Sequence, residues 1–394
     1  MGENDATLQD YGPPASMEGE AVVDPTLDGT HPPKKGWTAK RALLLAAKVG
    51  ISVYGLYAVW TEVLARDGAE HVSSAIGSLH WGWFAGAIAM QLCAIGFAIL
   101  RWRTVLGGQG IEATWRFMFP SFMIGRFWGA FTLGGLGLDG WKLFDVGYHT
   151  KKWARPIAVA GVEKVLGQLA FGLVVMGASV WGLEFIGQDG VLLINLLFLV
   201  VVATGLTFLA KPTLFKYAFR LLPRQVQPTL QTLIDAVCAY HGKWALLAQA
   251  TGYGVAVHAF NNLIYVCAAR ALGVELSAGM IFFGSSLQIM VTLAPISING
   301  VGLREAAAVA LYTAVGLSET QAVLIPTVGF AAEMMVSITG VLFLFARRFG
   351  KVSGLTVHDP DREEKYYDGL EEVPEERWPK PLRGLTLGLG AGLL

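Results

Sequence analysis

The sequence predicts an all-α polytopic membrane protein, with about six full spans and two re-entrant hairpins arranged as an inverted-topology repeat. Three observations predict it. The 394 residues are 54% hydrophobic and only 15% charged, with a mean hydropathy of +0.49, whereas a soluble domain carries about 25% charged residues. Long apolar segments recur at membrane-spanning length. Two interrupted apolar segments, one in each half, resemble each other. The same composition excludes a soluble domain and excludes disorder over most of the length. Thirty basic residues balance thirty acidic ones and no basic stripe occurs, which argues against nucleic-acid binding. Cys93, Cys238 and Cys267 are far apart, so neither a CxxC pair nor a disulfide framework is present.

The elements follow in order. Residues 1–33 hold seven acidic residues and no basic ones, a composition that reads as a disordered tail. Lys34, Lys35, Lys40 and Arg41 close this tail (1–41) at the membrane face. Apolar segments at 42–64, 81–100, 157–183, 190–210, 244–269 and 320–346 each reach spanning length. The segment at 117–138 is broken by Arg126 and the Gly134-Gly135-Leu136-Gly137 run, and that at 278–316 by Pro295 and Gly300. Residues 225–241 read as an amphipathic surface helix. Residues 349–394 read as a charged tail, too short for a catalytic domain.

Basic residues set the orientation. The basic end of the first tail places the N-terminus in the cytoplasm, and Arg101, Arg103 and Arg116 return the chain there. If 117–138 crossed, Lys142, Lys151, Lys152 and Arg155 would lie outside. The rule holds if that segment enters and leaves on the cytoplasmic side, and 278–316 then dips in from the outside. Both termini are cytoplasmic on this reading. The halves 42–183 and 190–346 share one order of elements in opposite orientations. Thr132–Gly140 aligns without gaps to Thr292–Gly300, with three identical positions. Inverted repeats with broken helices at the midplane are the plan of many secondary transporters. The alternative is that the Gly and Pro residues only permit close helix packing.

Four motifs carry a resemblance. They are Arg101-Trp102-Arg103, then Gly134-Gly135 with Asp139 and Lys142, then Glu163-Lys164 as an acid–base pair opening the next helix, then the run from Pro295 to Glu305 (PISINGVGLRE). On these the region 40–348 resembles the transmembrane region of lysylphosphatidylglycerol synthases and the wider flippase-like family. The resemblance implies binding or translocation of a lipid or lipid-linked head group: a phospholipid, an aminoacylated lipid or a polyprenyl-linked one. It implies a bacterial plasma-membrane setting. The soluble aminoacyltransferase domain is missing, with fewer than 50 residues after the last span, so an enzyme is not expected. The rival expectation is a non-transporting scaffold or assembly partner of another membrane protein.

The candidate substrate-binding residues are Arg126, Asp139, Lys142, Glu163, Ser297, Asn299, Gly300, Gly302, Arg304 and Glu305. A central intramembrane Arg costs about 2.5–3.5 kcal/mol on insertion scales, so Arg126 should face a partner or a wet cavity. A phosphate suits its bidentate donors, and a structural pair with Asp139 or Glu163 is the alternative. Asp139 and Lys142 share a helical face and suit an amine and a phosphate, or else a helix cap and interfacial water. Gly300 and Gly302 let backbone amides approach an anion at a helix start, with Ser297 and Asn299 adding polar groups. Arg304 and Glu305 are adjacent and so are not expected to pair with each other. Glu163 and Glu333 read as proton-coupling carboxylates or as salt-bridge partners of Arg126 or Arg304. Gln288, His258, Asn261 and Asn262 read as interhelical hydrogen-bonding groups. No catalytic residue, metal site or cofactor is expected: HxxxH, HExxH and P-loop patterns are all missing from the sequence.

Overall fold

In the computed structural model, residues 68–130, 136–150, 153–215, 234–292, 300–349, 354–359 and 362–366 are described, with isolated positions between 54 and 65. Their helices are α1 (Gly68–Gly77), α2 (Trp81–Gly108), α3 (Trp115–Ala130), α4 (Leu136–Thr150), α5 (Ala154–Ala178), α6 (Leu183–Ala210), α7 (Trp244–Ala271), α8 (Ala278–Thr292), α9 (Leu303–Thr313), α10 (Glu319–Ile338) and α11 (Gly340–Phe349). Among the described residues four stretches are long and apolar enough to cross a membrane: 81–108, 155–181, 185–210 and 319–347. The last is broken at Thr339, between α10 and α11. The 28 residues of α7 make it about 42 Å long at 1.5 Å per residue. Most of the segment at 42–64 lies outside the described residues.

α2 and α7 form the antiparallel spine. His80 N–H donates to the Ala271 carbonyl (2.8 Å), while Lys243 Nζ donates to Gly108 O (2.5 Å) and Tyr240 Oη to Val105 O (2.7 Å). These contacts define two ends of the bundle. The first holds the C-terminus of α2 and the N-terminus of α7; the second holds the reverse. Phe97 and Phe260 stack between the two helices at 5.5 Å.

The interrupted segments fold as two helical hairpins. α3 and α4 both have their bases at the first end, where Phe117 meets His149 edge-to-face at 5.5 Å. At their tip Gly125 and Gly129 face Leu138, so closely that a Cβ on Gly125 would lie 2.8 Å from Leu138 Cδ1. α8 and α9 have their bases at the second end, where Tyr312 Oη donates to Ile281 O (3.3 Å). Helices of 16, 15, 15 and 11 residues are too short to span a hydrocarbon core that takes about 20.

The all-helical membrane domain carries one addition that the sequence reading did not include, a small sheet formed in part by the charged C-terminal tail. β1 (Ile111–Ala113), β2 (Leu355–Asp359) and β3 (Arg362–Tyr366) form an antiparallel sheet in the order β1-β2-β3. Ile111, Ala113 and Leu355 are buried in the main apolar core, with Trp102, Leu106 and Tyr240. The pairing of residue 111 with 357 is non-local, so hydropathy along the chain carries no trace of it.

Candidate functional site

The polar groups of the bundle gather into two clusters. The first lies where the hairpin tips approach the middle. Arg126, one turn from the end of α3, donates through Nε to Ser337 Oγ of α10 (3.3 Å). In the amide orientation that satisfies both partners, Gln91 of α2 accepts from Arg126 Nη2 (2.7 Å) and Nη1 (3.1 Å). Arg126 therefore pairs with neither Asp139 nor Glu163, the partners considered from sequence. At the start of α9, Arg304 and Glu305 are 3% and 2% exposed. Glu333 of α10 accepts from Tyr265 Oη of α7 (3.3 Å), and Ser337, which Arg126 contacts, donates through Oγ to the Glu333 backbone carbonyl (2.8 Å).

The local backbone explains this second tip. Gly300 and Gly302 have φ of 76° and 84°, the left-handed region that favours glycine. A Cβ on Gly300 would also collide with Thr292 of α8. The sharp turn lets Glu305, at the third helical position, fold back so that its Oε2 accepts the Gly302 N–H (2.7 Å), as in a capping box. Its other oxygen meets Arg304 Nη2 at 2.7 Å. This corrects the expectation that adjacent residues do not pair. Side chains in a first turn lean toward the helix N-terminus, and two long ones converge there. Arg304 also stacks on Phe330, 4.1 Å from its ring centre. Ser297 and Asn299 lie outside the described residues.

The second cluster is nearer the first end. Lys142 of α4 donates to Glu163 Oε2 of α5 (2.5 Å), and Arg101 Nε of α2 is 3.5 Å from Glu163 Oε1. Asp139 pairs with Lys164 at 2.5 Å. Asp139 and Lys142 thus share a face but serve different partners, and both pairs cross from α4 to α5. Glu163-Lys164 does not open a helix, since α5 begins at Ala154. Lys142 Nζ sits 4.9 Å from the Trp102 ring centre. Trp102, Asp139, Lys142, Pro156 and Glu163 line a narrow crevice.

Other polar residues divide. Asn262 Oδ1 accepts from Ser285 Oγ (2.7 Å) and His258 Nε2 meets Gly167 O at 3.2 Å, both interhelical as expected. The Gln288 amide is buried and without a hydrogen-bond partner. Sequence reasoning missed Gln91, Tyr265 and Ser337 as members of the first cluster. A lone Gln in the apolar run of α2 was the available signal for the first; Tyr265 and Ser337 give none until the helices are packed.

A further ion pair joins Arg347 of α11 to Asp145 of α4 (2.5 Å), with Arg347 Nη2 donating to Phe117 O (2.8 Å). Asp145 stands in the last turns of α4, at the hairpin base. Burial acts to raise its pKa, but the Arg347 guanidinium and His149 outweigh it and hold the carboxyl at about 2.

No curated protein and no solved structure matches the chain. The sequence pattern of the lysylphosphatidylglycerol synthase TM region matches residues 45–340, which include both clusters and stop short of Arg347 and the C-terminal strands. That match covers well over half of the 394 residues, and the chain belongs to the lysylphosphatidylglycerol synthase transmembrane-region family.

Proposed function

We propose that this protein binds a membrane lipid by its head group between the hairpin tips and carries it across the bilayer. One observation carries the reading: an arginine from each hairpin packs on the same stretch of α10 around Glu333, Arg126 donating to Ser337 Oγ (3.3 Å) and Arg304 stacking on Phe330 (4.1 Å). Guanidinium groups are the side chains best matched to phosphate oxygens. Intramembrane ionisable groups that converge from broken helices mark transport sites in many membrane proteins.

The two hairpins, with bases at opposite ends, support an inverted-topology repeat in which each hairpin is re-entrant. Polarity supports the orientation. Arg103, Arg116, Arg155, Lys211, Lys243 and Arg347 stand near the first end, and Arg270 is the one Lys or Arg at the second among the described residues. By the positive-inside rule the first end, the tail strands with it, is cytoplasmic. The proposed setting is a bacterial plasma membrane, and no covalent step is assigned to the protein.

A second reading, a non-transporting partner of another membrane protein, is favoured by one fact: Arg304 is already neutralised by Glu305. Reconstitution separates the two. Liposomes carrying the protein and a phospholipid labelled on its head group should move label between leaflets, and Arg126→Gln should slow this about tenfold or more, equivalent to about 1.4 kcal/mol. Wild-type protein that moves label no faster than protein-free liposomes supports the partner reading.

A further inference from the structure

The two clusters differ in charge. At the hairpin tips the cations and carboxylates are equal in number: Arg126 and Arg304, with Glu305 paired to Arg304 and Glu333 on the Tyr265 hydroxyl. Near the first end, Arg101 and Lys142 share one carboxylate, Glu163, which leaves one positive charge in excess. Lys142 and Glu163 are 6% and 7% exposed, and Arg101 16%. No other acid of the described residues is in ion-pair contact with either cation.

Arg101 also leaves one donor of its guanidinium, Nε, without a hydrogen bond. Its Nε, 3.5 Å from Glu163 Oε1, lies outside hydrogen-bond geometry, and both atoms are buried without a hydrogen-bond partner. Nη1 runs into a slot made by glycines on two neighbouring helices: a Cβ on Gly167 of α5 would lie 3.5 Å from it, and one on Gly254 of α7 3.6 Å. His258, on the same side of α7, leaves its Nδ1 unpartnered. The ring contact of Lys142 with Trp102 softens the excess without cancelling it, because an aromatic face carries a quadrupole and no net charge. Buried charge that lacks a partner is costly, and a ligand with one negative charge restores the balance here.

We propose that Arg101 and Lys142 form a charge filter on the first-end side of the hairpin-tip site, which selects amine-free, monoanionic phosphodiester lipids over zwitterionic ones. The inference rests on the lipid reading above and adds the substrate class. A zwitterionic head group brings a phosphate together with its own cation and leaves the cluster as positive as before. A monoanionic one neutralises it. The narrow crevice beside Lys142 and Glu163 also touches Asp139, whose pair with the more exposed Lys164 is neutral overall.

The test is a competition. Full-length protein is incubated with equal amounts of phosphatidylglycerol and phosphatidylcholine, and bound lipid is counted by native mass spectrometry. Wild type should prefer phosphatidylglycerol about tenfold or more, as charge complementarity sets specificity. Arg101→Gln with Lys142→Gln should erase the preference, and Arg101→Lys should keep it. Glu163→Gln, which raises the excess charge, should strengthen it and so tests the idea even where the double variant does not fold. An unchanged preference in Glu163→Gln and in the double variant overturns the filter. Arg126→Gln should lower retention of both lipids at unchanged preference. If Arg126→Gln retains both lipids fully, the hairpin-tip reading fails, while the filter stands or falls on its own variants. Millimolar inorganic phosphate is the last arm. Loss of phosphatidylglycerol on adding it would make this a free-phosphate site and overturn the lipid assignment.

Discussion

At the residue scale, the second hairpin tip depends on two glycines and one carboxylate. Gly302→Ala places a Cβ where φ is 84°, at a cost of about 1–2 kcal/mol, and should lower the thermal midpoint of the purified protein. Gly300→Ala should lower it more, because its Cβ also meets Thr292. Glu305→Ala strips Arg304 of its ion-pair partner and should cost about 3–5 kcal/mol, read in the same unfolding experiment. Asp145 gives a pH signature. Its folded pKa, about 2, lies below the unfolded value of about 3.9, so its contribution is complete above the unfolded value and is lost as pH falls through the folded one. Asp145→Asn should therefore lower the midpoint equally at neutral and mildly alkaline pH, and its gap to wild type should close between about pH 4 and pH 2. An equal gap at every pH contradicts the Arg347 pairing. These residues show what sequence can and cannot give. The need for glycine at 300 and 302 was legible from the motif. The Arg304–Glu305 pair was not, because helical spacing rules describe side chains within a helix and fail in its first turn.

At the element scale, α4 is tied to α5 by Asp139–Lys164 and Lys142–Glu163, two pairs that run in register between antiparallel helices. Lys142→Glu or Glu163→Lys alone should destabilise the protein. The two together should recover part of the loss, with a coupling of about 0.5–3 kcal/mol in a double-mutant cycle. Zero coupling means the pair is incidental. Most elements were readable from hydropathy, including the division of each hairpin segment into two short helices; Gly134, Gly135 and Pro295, named as breaking points, lie outside the described residues. Hydropathy did not divide 320–346 at Thr339, since the apolar run continues across it. It also missed the strands, whose partner β1 is more than two hundred residues away in the chain. The same distance hides the Arg347–Asp145 clamp.

At the scale of the whole molecule, the account makes the two ends face opposite sides of a membrane. His241 is exposed at the first end and Glu275 at the second. On a background without Cys93, Cys238 and Cys267, a cysteine at position 241 should react with an impermeant thiol reagent only from the cytoplasmic side. One at position 275 should react only from the other side. Labelling of both from one side contradicts the orientation drawn from the positive charges. The membrane class was plain from composition alone, because so low a charge fraction leaves no other way to cover the surface of a chain this long. The site was half legible. Arg126 and Arg304 stand out as ions in apolar or glycine-rich surroundings, whereas Gln91, Tyr265 and Ser337 join them only through packing.

The central claim is that a lipid head group is held between the hairpins beside Arg126 and Arg304, which both pack on α10. Its most direct test is the lipid content of the protein extracted with its native membrane, compared with that of Arg126→Gln purified at equal thermal stability. The account predicts one lipid class enriched with the wild type and lost from the variant. The same lipids in the same proportions with both proteins would contradict it.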